Sequence, residues 1–225
     1  MSEQDIVKKI FGWVGTALSS YFFFAPIVPV LKIIKGKVNI KDAPYILLFI
    51  SLLNCILYTV YGLLKNDFAV YLTNIIGGAF TLMWVTSTII FLAKMKILFI
   101  LLYIFALIVG FCSISIVFYF FVPADVTGII VMVIGILVFA APLEKLYRVI
   151  KTYEYQLIPI FSTLGAFCCS LCWTMYGIYQ KDYKIYTPNI GGLALAITQI
   201  IIYLIYYFKN KKKVVDLAAI NDETA

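Results

Sequence analysis

The chain has 225 residues, 64% hydrophobic and 13% charged, with a formal net charge of +7 and no histidine. A soluble domain is about 45–50% apolar and about 25% charged, so water is excluded as the solvent of this chain and a bilayer is implied. Without histidine, Cys/His zinc sites and His-dependent catalytic triads are excluded too. The basic residues sit in short connections and the tail, which argues against nucleic-acid binding and fits membrane orientation.

A membrane helix needs about 20 mostly apolar residues. Seven charge-free runs qualify: Ile10–Leu31, Pro44–Leu64, Phe68–Ala93, Ile97–Pro123, Val126–Leu143, Tyr155–Gln180 and Ile185–Phe208. Barrel strands are a poor reading, because they are about 10 residues long with alternating polarity and these runs are continuous. Residues 1–9 have no charged n-region and small-residue cleavage site, so no removable signal peptide is expected and the first run directs its own insertion. Runs one and two are separated by Lys32, Lys35, Lys37 and Lys41, two and three by Lys65-Asn66-Asp67, and three and four by Lys94-Met95-Lys96. Ala124-Asp125 follows run four, Lys145, Arg148 and Lys151 follow run five, and Lys181-Asp182-Tyr183-Lys184 follows run six. Thirteen of the 18 Lys and Arg fall on the side of the odd connections and the tail, against five on the other. The positive-inside rule then puts the N-terminus outside and the C-terminus in the cytosol. The five cysteines, Cys55, Cys112, Cys168, Cys169 and Cys172, all lie inside apolar runs and are read as packing residues.

The chain repeats itself. Tyr58 to Gly77, YTVYGLLKNDFAVYLTNIIG, matches Trp173 to Gly192, WTMYGIYQKDYKIYTPNIGG, at a constant shift of 115. Tyr61 falls on Tyr176, Gly62 on Gly177, Asp67 on Asp182 and Asn74 on Asn189. Ala25-Pro26 matches Ala141-Pro142, and Pro44 matches Pro159. Three crossings end on the side opposite their start, so a second copy in the same direction needs one extra crossing, and run four has no counterpart. The expected fold is an all-α integral membrane protein with seven transmembrane helices, arranged 3+1+3. Residues 1–93 form the first three-helix repeat, 94–126 the linker helix, 127–208 the second, parallel repeat, and 209–225 a cytosolic tail.

Asn74 and Asn189 lie about two turns into runs three and seven. An amide donates and accepts without charge, which suits a neutral polar solute. The alternative use is a hydrogen bond between helices. Tyr58 and Trp173 offer rings on which a flat apolar face of a solute stacks, or else pack in the core. Pro26, Pro44, Pro142 and Pro159 lie near equivalent helix ends, where lost backbone donors form a symmetric set of hinges or ordinary helix starts and stops. No Asp, Glu, Lys or Arg lies at the middle of any run. Ion-coupled pumps usually need one, so downhill flux is favoured. Nothing resembles a nucleophile, base or metal site, so neither an enzyme nor a cofactor is expected.

The ordered and duplicated pieces Ala25-Pro26 with Pro29, Tyr61-Gly62 to Asn74, Ala141-Pro142 and Trp173 to Gly192 resemble the SWEET sugar transporters. This family is itself a known example of parallel repeats about an axis along the membrane normal. The resemblance implies facilitative, bidirectional sugar transport by alternating access. It also implies a homo-oligomer, most commonly in the plasma membrane. It points to Asn74 and Asn189 as substrate ligands, with Asn54, Cys169, Ser19, Phe22, Gly135 and Val138 lining the pocket. Asn54 and Phe22 are larger than the small residues of sucrose-carrying members, which leans towards a monosaccharide such as glucose. Most members carry Trp at both aromatic positions, so Tyr58 is a departure. The resemblance also makes Tyr61 and Asp182 an outer gate. A PQ-loop transporter of another small solute is one alternative, disfavoured by the absence of a Pro-Gln dipeptide. A seven-helix receptor is another, disfavoured by the repeat.

Overall fold

The computed structural model describes residues 3–24, 31, 35, 45–93 and 97–223. Pro26 and Pro44 lie outside the described residues. Hydrocarbon offers no partner to backbone N–H and C=O groups, so a spanning segment must pair them internally, as a helix does. The described chain forms α1 (Glu3–Phe24), α2 (Tyr45–Leu64), α3 (Phe68–Ala93), α4 (Ile97–Phe121) and α5 (Ala124–Leu137). It continues as α6 (Ala140–Thr152), a 3₁₀ turn (Tyr155–Leu157), α7 (Ile160–Gln180) and α8 (Tyr183–Glu223). Five stretches are long and apolar enough to cross a membrane: Phe68–Ser87, Leu101–Phe121, Ala124–Thr152, Ile160–Gln180 and Tyr183–Asn210. With α1 and α2 they make seven membrane segments, α5 and α6 counting as one.

Three boundaries differ from the sequence expectation. Run five is two helices, because Pro142 has no N–H to give the Val138 carbonyl. The chain breaks there, and Phe139 N–H turns to the Ile136 oxygen at 3.1 Å. Run six becomes α-helical only at Ile160, with Pro159 as N-cap at φ −77 and ψ 85. A helix start tolerates proline, since the first N–H groups have no partner within the helix. Run seven continues as helix through Glu223, because no Gly or Pro interrupts residues 209–223.

In each half the third helix lies between the other two. α3 packs on α1 and α2, and α8 packs on α5 and α7. Across the halves, α1 packs on α7 and α2 on α5. The first helix of each half therefore meets the second helix of the other, as an axis between the halves requires. α4 packs on α2 and leaves Phe105, Phe120 and Phe121 exposed.

The turns that join second to third helix are copies of each other. Asn66 and Lys181 adopt left-handed backbones, φ 53 and φ 56. Asp67 N–H then reaches the Gly62 oxygen at 2.8 Å, and Asp182 N–H the Gly177 oxygen at 2.9 Å, closing a Schellman motif at each helix end. The glycines are needed for close approach. A Cβ on Gly62 would meet the Tyr71 nitrogen at 2.7 Å, and one on Gly177 the Tyr186 nitrogen at 2.8 Å. Gly62→Ala and Gly177→Ala are each expected to cost about 1–3 kcal/mol of stability by overpacking. This is measured as a fall in the melting temperature of the purified protein. An unchanged melting temperature would contradict the close crossing.

Candidate functional site

A cavity of about 370 Å³ lies between the two halves. All ten residues named above for the pocket line it: Ser19, Phe22, Asn54, Tyr58, Asn74, Gly135, Val138, Cys169, Trp173 and Asn189. Asn74 donates from Nδ2 to the Val70 oxygen at 2.8 Å, and Asn189 from Nδ2 to the Ile185 oxygen at 2.7 Å. Each amide is thereby anchored to its own helix one turn back, which leaves each Oδ1 to accept from a ligand. Asn54 Oδ1 is buried and has no hydrogen-bond partner among the described residues. It lies 3.6 Å from where a Cβ on Gly135 would sit. Phe22 lies against Gly165 of α7, and Val138 is at the α5–α6 break.

The two cavity aromatics are held differently. Trp173 donates from its indole to Ser19 Oγ at 2.9 Å, and Ser19 also bonds Cys169 Sγ at 3.4 Å. The position matching Ser19 in the second half is Gly135, which has no hydroxyl, and Tyr58 instead donates to the backbone oxygen of Lys184 at 3.0 Å. That carbonyl would normally bond the N–H four residues on, but residue 188 is Pro188 and has none. The phenol of Tyr58 fills the missing donor. The departure to tyrosine thus has a local cause, and only the ring of Tyr58 remains for a ligand. Tyr58→Phe is expected to cost about 1–3 kcal/mol of stability by leaving a buried carbonyl unpaired. In a Pro188→Ala background, which restores the N–H, most of that loss should vanish. Equal losses in the two backgrounds, read from melting temperatures, would sink the explanation.

Pro142 also lines the cavity, and its carbonyl accepts from Gln199 Nε2 at 3.3 Å. The Thr163 hydroxyl donates to the Pro159 oxygen at 3.3 Å and lies 3.5 Å from Gln199 Oε1. Gln199 on α8 therefore ties the starts of α6 and α7 together. Nothing in its sequence context signals this role.

At the end bearing the α2–α3 and α7–α8 turns, the structure joins Tyr61 and Asp182 by a phenol–carboxylate hydrogen bond. It also makes the mirror bond, Tyr176 to Asp67 at 2.6 Å, which the sequence reading did not name. The repeat carried the signal. If Tyr61 of one half bonds Asp182 of the other, the shift of 115 makes Tyr176 and Asp67 the matching pair. Asp67 is buried and also accepts from Gln180 Nε2 at 3.0 Å and Val70 N–H at 3.2 Å. Under these bonds lies the main buried cluster, with Leu57, Val70, Val131 and Ile185 packed among Tyr61, Trp173 and Tyr176. Beside it, Lys184 pairs with Asp125 at 2.6 Å and Lys65 approaches the same carboxylate at 3.6 Å.

Seven apolar segments, two parallel three-helix repeats and a cavity shared between them define a two-repeat membrane transporter fold. The family model described as "sugar efflux transporter for intercellular exchange" matches residues 9–97 and 125–212, one stretch in each half. Over 90% of its length the chain is 31% identical to "Bidirectional sugar transporter SWEET10" of Arabidopsis thaliana, of which it covers 72%. Over 92% of its length it is 31% identical to SWEET5 of the same plant, of which it covers 89%. Among solved structures it is similar to a eukaryotic SWEET transporter, with a TM-score of 0.79 and 28% identity over 92% of this chain and 99% of that one. The chain belongs to the SWEET family of sugar transporters.

Proposed function

We propose that the chain is a facilitative, bidirectional sugar transporter working by alternating access, with a monosaccharide such as glucose as substrate. The observation that carries this reading is the cavity between the halves, where Asn74 and Asn189 stand at equivalent points with Oδ1 free to accept. Two amide acceptors beside two aromatic rings match the hydroxyls and the flat C–H face of a pyranose. The volume, about 370 Å³, is near the small end of the roughly 300–1,000 Å³ range of ligand pockets, which supports a monosaccharide over a disaccharide. Among the described cavity-lining residues there is no ionisable carboxylate or amine, in keeping with uncoupled flux.

In this reading residues 1–93 and 127–208 are the moving halves, 94–126 is the linker helix and 209–225 the cytosolic tail. The crossed tyrosine–aspartate bonds close the outer end, and Pro142 and Pro159, with Pro26 and Pro44, serve as hinges. The N-terminus lies outside, the C-terminus in the cytosol and the protein in the plasma membrane as a homo-oligomer. The Lys/Arg distribution supports the orientation, and the family likeness supports the rest. Protease protection of tagged termini checks the orientation, surface biotinylation the membrane, and cross-linking in native membranes the oligomer.

The substrate is tested by uptake of labelled glucose into liposomes holding the purified protein. Uptake should stop at equal concentrations, ignore imposed proton and sodium gradients, and be inhibited by hexoses more than by sucrose or amino acids. Accumulation driven by an ion gradient, or inhibition by amino acids alone, would contradict the reading.

A further inference from the structure

Lys184 is a cation where the other half has none. It is 5% exposed, and its equivalent in the first repeat is Ala69, at the shift of 115 that relates the halves. Every polar atom of this residue is engaged. Its N–H donates to Asp182 Oδ1 at 3.0 Å, the carboxylate that also accepts from Tyr61. Its carbonyl accepts from Tyr58, a wall of the cavity. Its Nζ reaches Asp125 at 2.6 Å, at the start of α5. The Lys184 stem runs over Gly128 together with the Tyr61 ring, where a Cβ would collide with both. The first half has the same glycine, Gly12, holding the Tyr176 ring and the uncharged side chain of Ala69 at the Lys184 position. The two ends of the ion pair differ in setting. The Lys184 side chain is 7% exposed and that of Asp125 is 75% exposed. A charge buried on one side of a pair is held in place by its partner, because the lone ammonium has little water to turn to.

We propose that the Lys184–Asp125 ion pair is a third, unpaired-by-symmetry latch on this end of the transporter. It pins the first turn of α8 to the first turn of α5 and so biases the halves towards closure at this end. Asp125 opens α5 and Lys184 opens α8, yet the Lys184 backbone bonds the carboxylate that holds Tyr61 of the first half and the hydroxyl of Tyr58, whose ring lines the cavity. Loosening Lys184 therefore loosens Asp182 and Tyr58 together. Lys65 adds a second, more exposed cation to the same carboxylate at 3.6 Å, joining the α2–α3 turn to the latch. The two crossed tyrosine bonds are related by the repeat, whereas Lys184 has an uncharged counterpart, Ala69, in the first half. The inference rests on the reading that this end opens during transport.

The test is a distance measurement across the closed end. Spin labels are placed by Leu63→Cys and Ile178→Cys, two exposed positions related by the repeat shift. The full chain, with its five native cysteines replaced, is held in nanodiscs, and electron–electron double resonance reads the distance with and without glucose. Lys184→Met keeps the stem over Gly128 and removes the charge. Asp125→Asn changes an exposed side chain and tests the pair without disturbing the core. Each should raise the long-distance fraction at least threefold, and the double variant should raise it no further than the larger single effect. If glucose shifts the distribution and neither variant does, the latch is overturned while the transport reading stands. A shift with Lys184→Met but none with Asp125→Asn would overturn the ion pair in favour of stem packing. If neither glucose nor any variant moves the labels, opening at this end is wrong and the latch falls with it.

Discussion

Asn189→Ala should lower glucose flux by about 5- to 100-fold, and Asn74→Ala should do the same. Each substitution removes an acceptor from the cavity wall and leaves a sugar hydroxyl without a partner. A hydroxyl left unsatisfied away from water costs about 1–3 kcal/mol, and about 1.4 kcal/mol is a factor of ten. The loss should be kinetic and not structural. In the structure each amide is bonded only to its own helix, at 2.8 Å for Asn74 and 2.7 Å for Asn189, so no contact between helices is cut. Melting temperatures should therefore stay near wild type while initial rates in liposomes fall. The double variant should be inactive. Flux within twofold of wild type in both single variants would remove the asparagines from the substrate path.

The second large effect concerns the closed end. Tyr176→Phe and Tyr61→Phe should alter transport in the same direction and to a similar degree, because each cuts one of two symmetry-related bonds. Asp67→Ala should be worse than either. Asp67 is 5% exposed and caps α3 through Val70 N–H while accepting from Tyr176 and Gln180. Losing a cap costs about 0.5–2 kcal/mol, and each buried donor left alone adds about 1–3 kcal/mol. Asp67→Ala should thus lower the melting temperature more than Asp182→Ala does, since Asp182 is less deeply buried. A normal Tyr176→Phe beside an impaired Tyr61→Phe would show that only one latch matters.

These two sites show what a sequence of this kind carries. The 3+1+3 order was legible because the repeat and the count of apolar runs leave little other choice. The cavity residues were legible through duplication and through the family likeness. The Tyr176–Asp67 bond follows from the same repeat and needed only the symmetry applied once more. What was not legible is set by breaks in that symmetry. The hydroxyl of Tyr58 answers the missing N–H of Pro188, which lies on another helix, and no spacing in the chain links residues 58 and 188. Lys184 reads as an ordinary loop lysine until α5 is folded against it through Gly128. Gln199 reads as a lone polar residue in a membrane helix until the Pro142 carbonyl is placed beside it. The break at Val138–Phe139 was legible only in part, since Pro142 marked a weakened helix but not the residues at which it ends. The apolar run is continuous, and Pro142 acts on a carbonyl four residues before it.

The most direct test of the account is counterflow. Liposomes holding the wild-type protein are loaded with unlabelled glucose and diluted into a trace of labelled glucose. A carrier whose one cavity faces each side in turn predicts a transient internal excess of label, which decays as the gradient runs down. The excess should appear with a trans hexose and be absent from Asn189→Ala. Label that enters without any excess, at a rate indifferent to trans sugar, would mean a continuous pore and contradict the account.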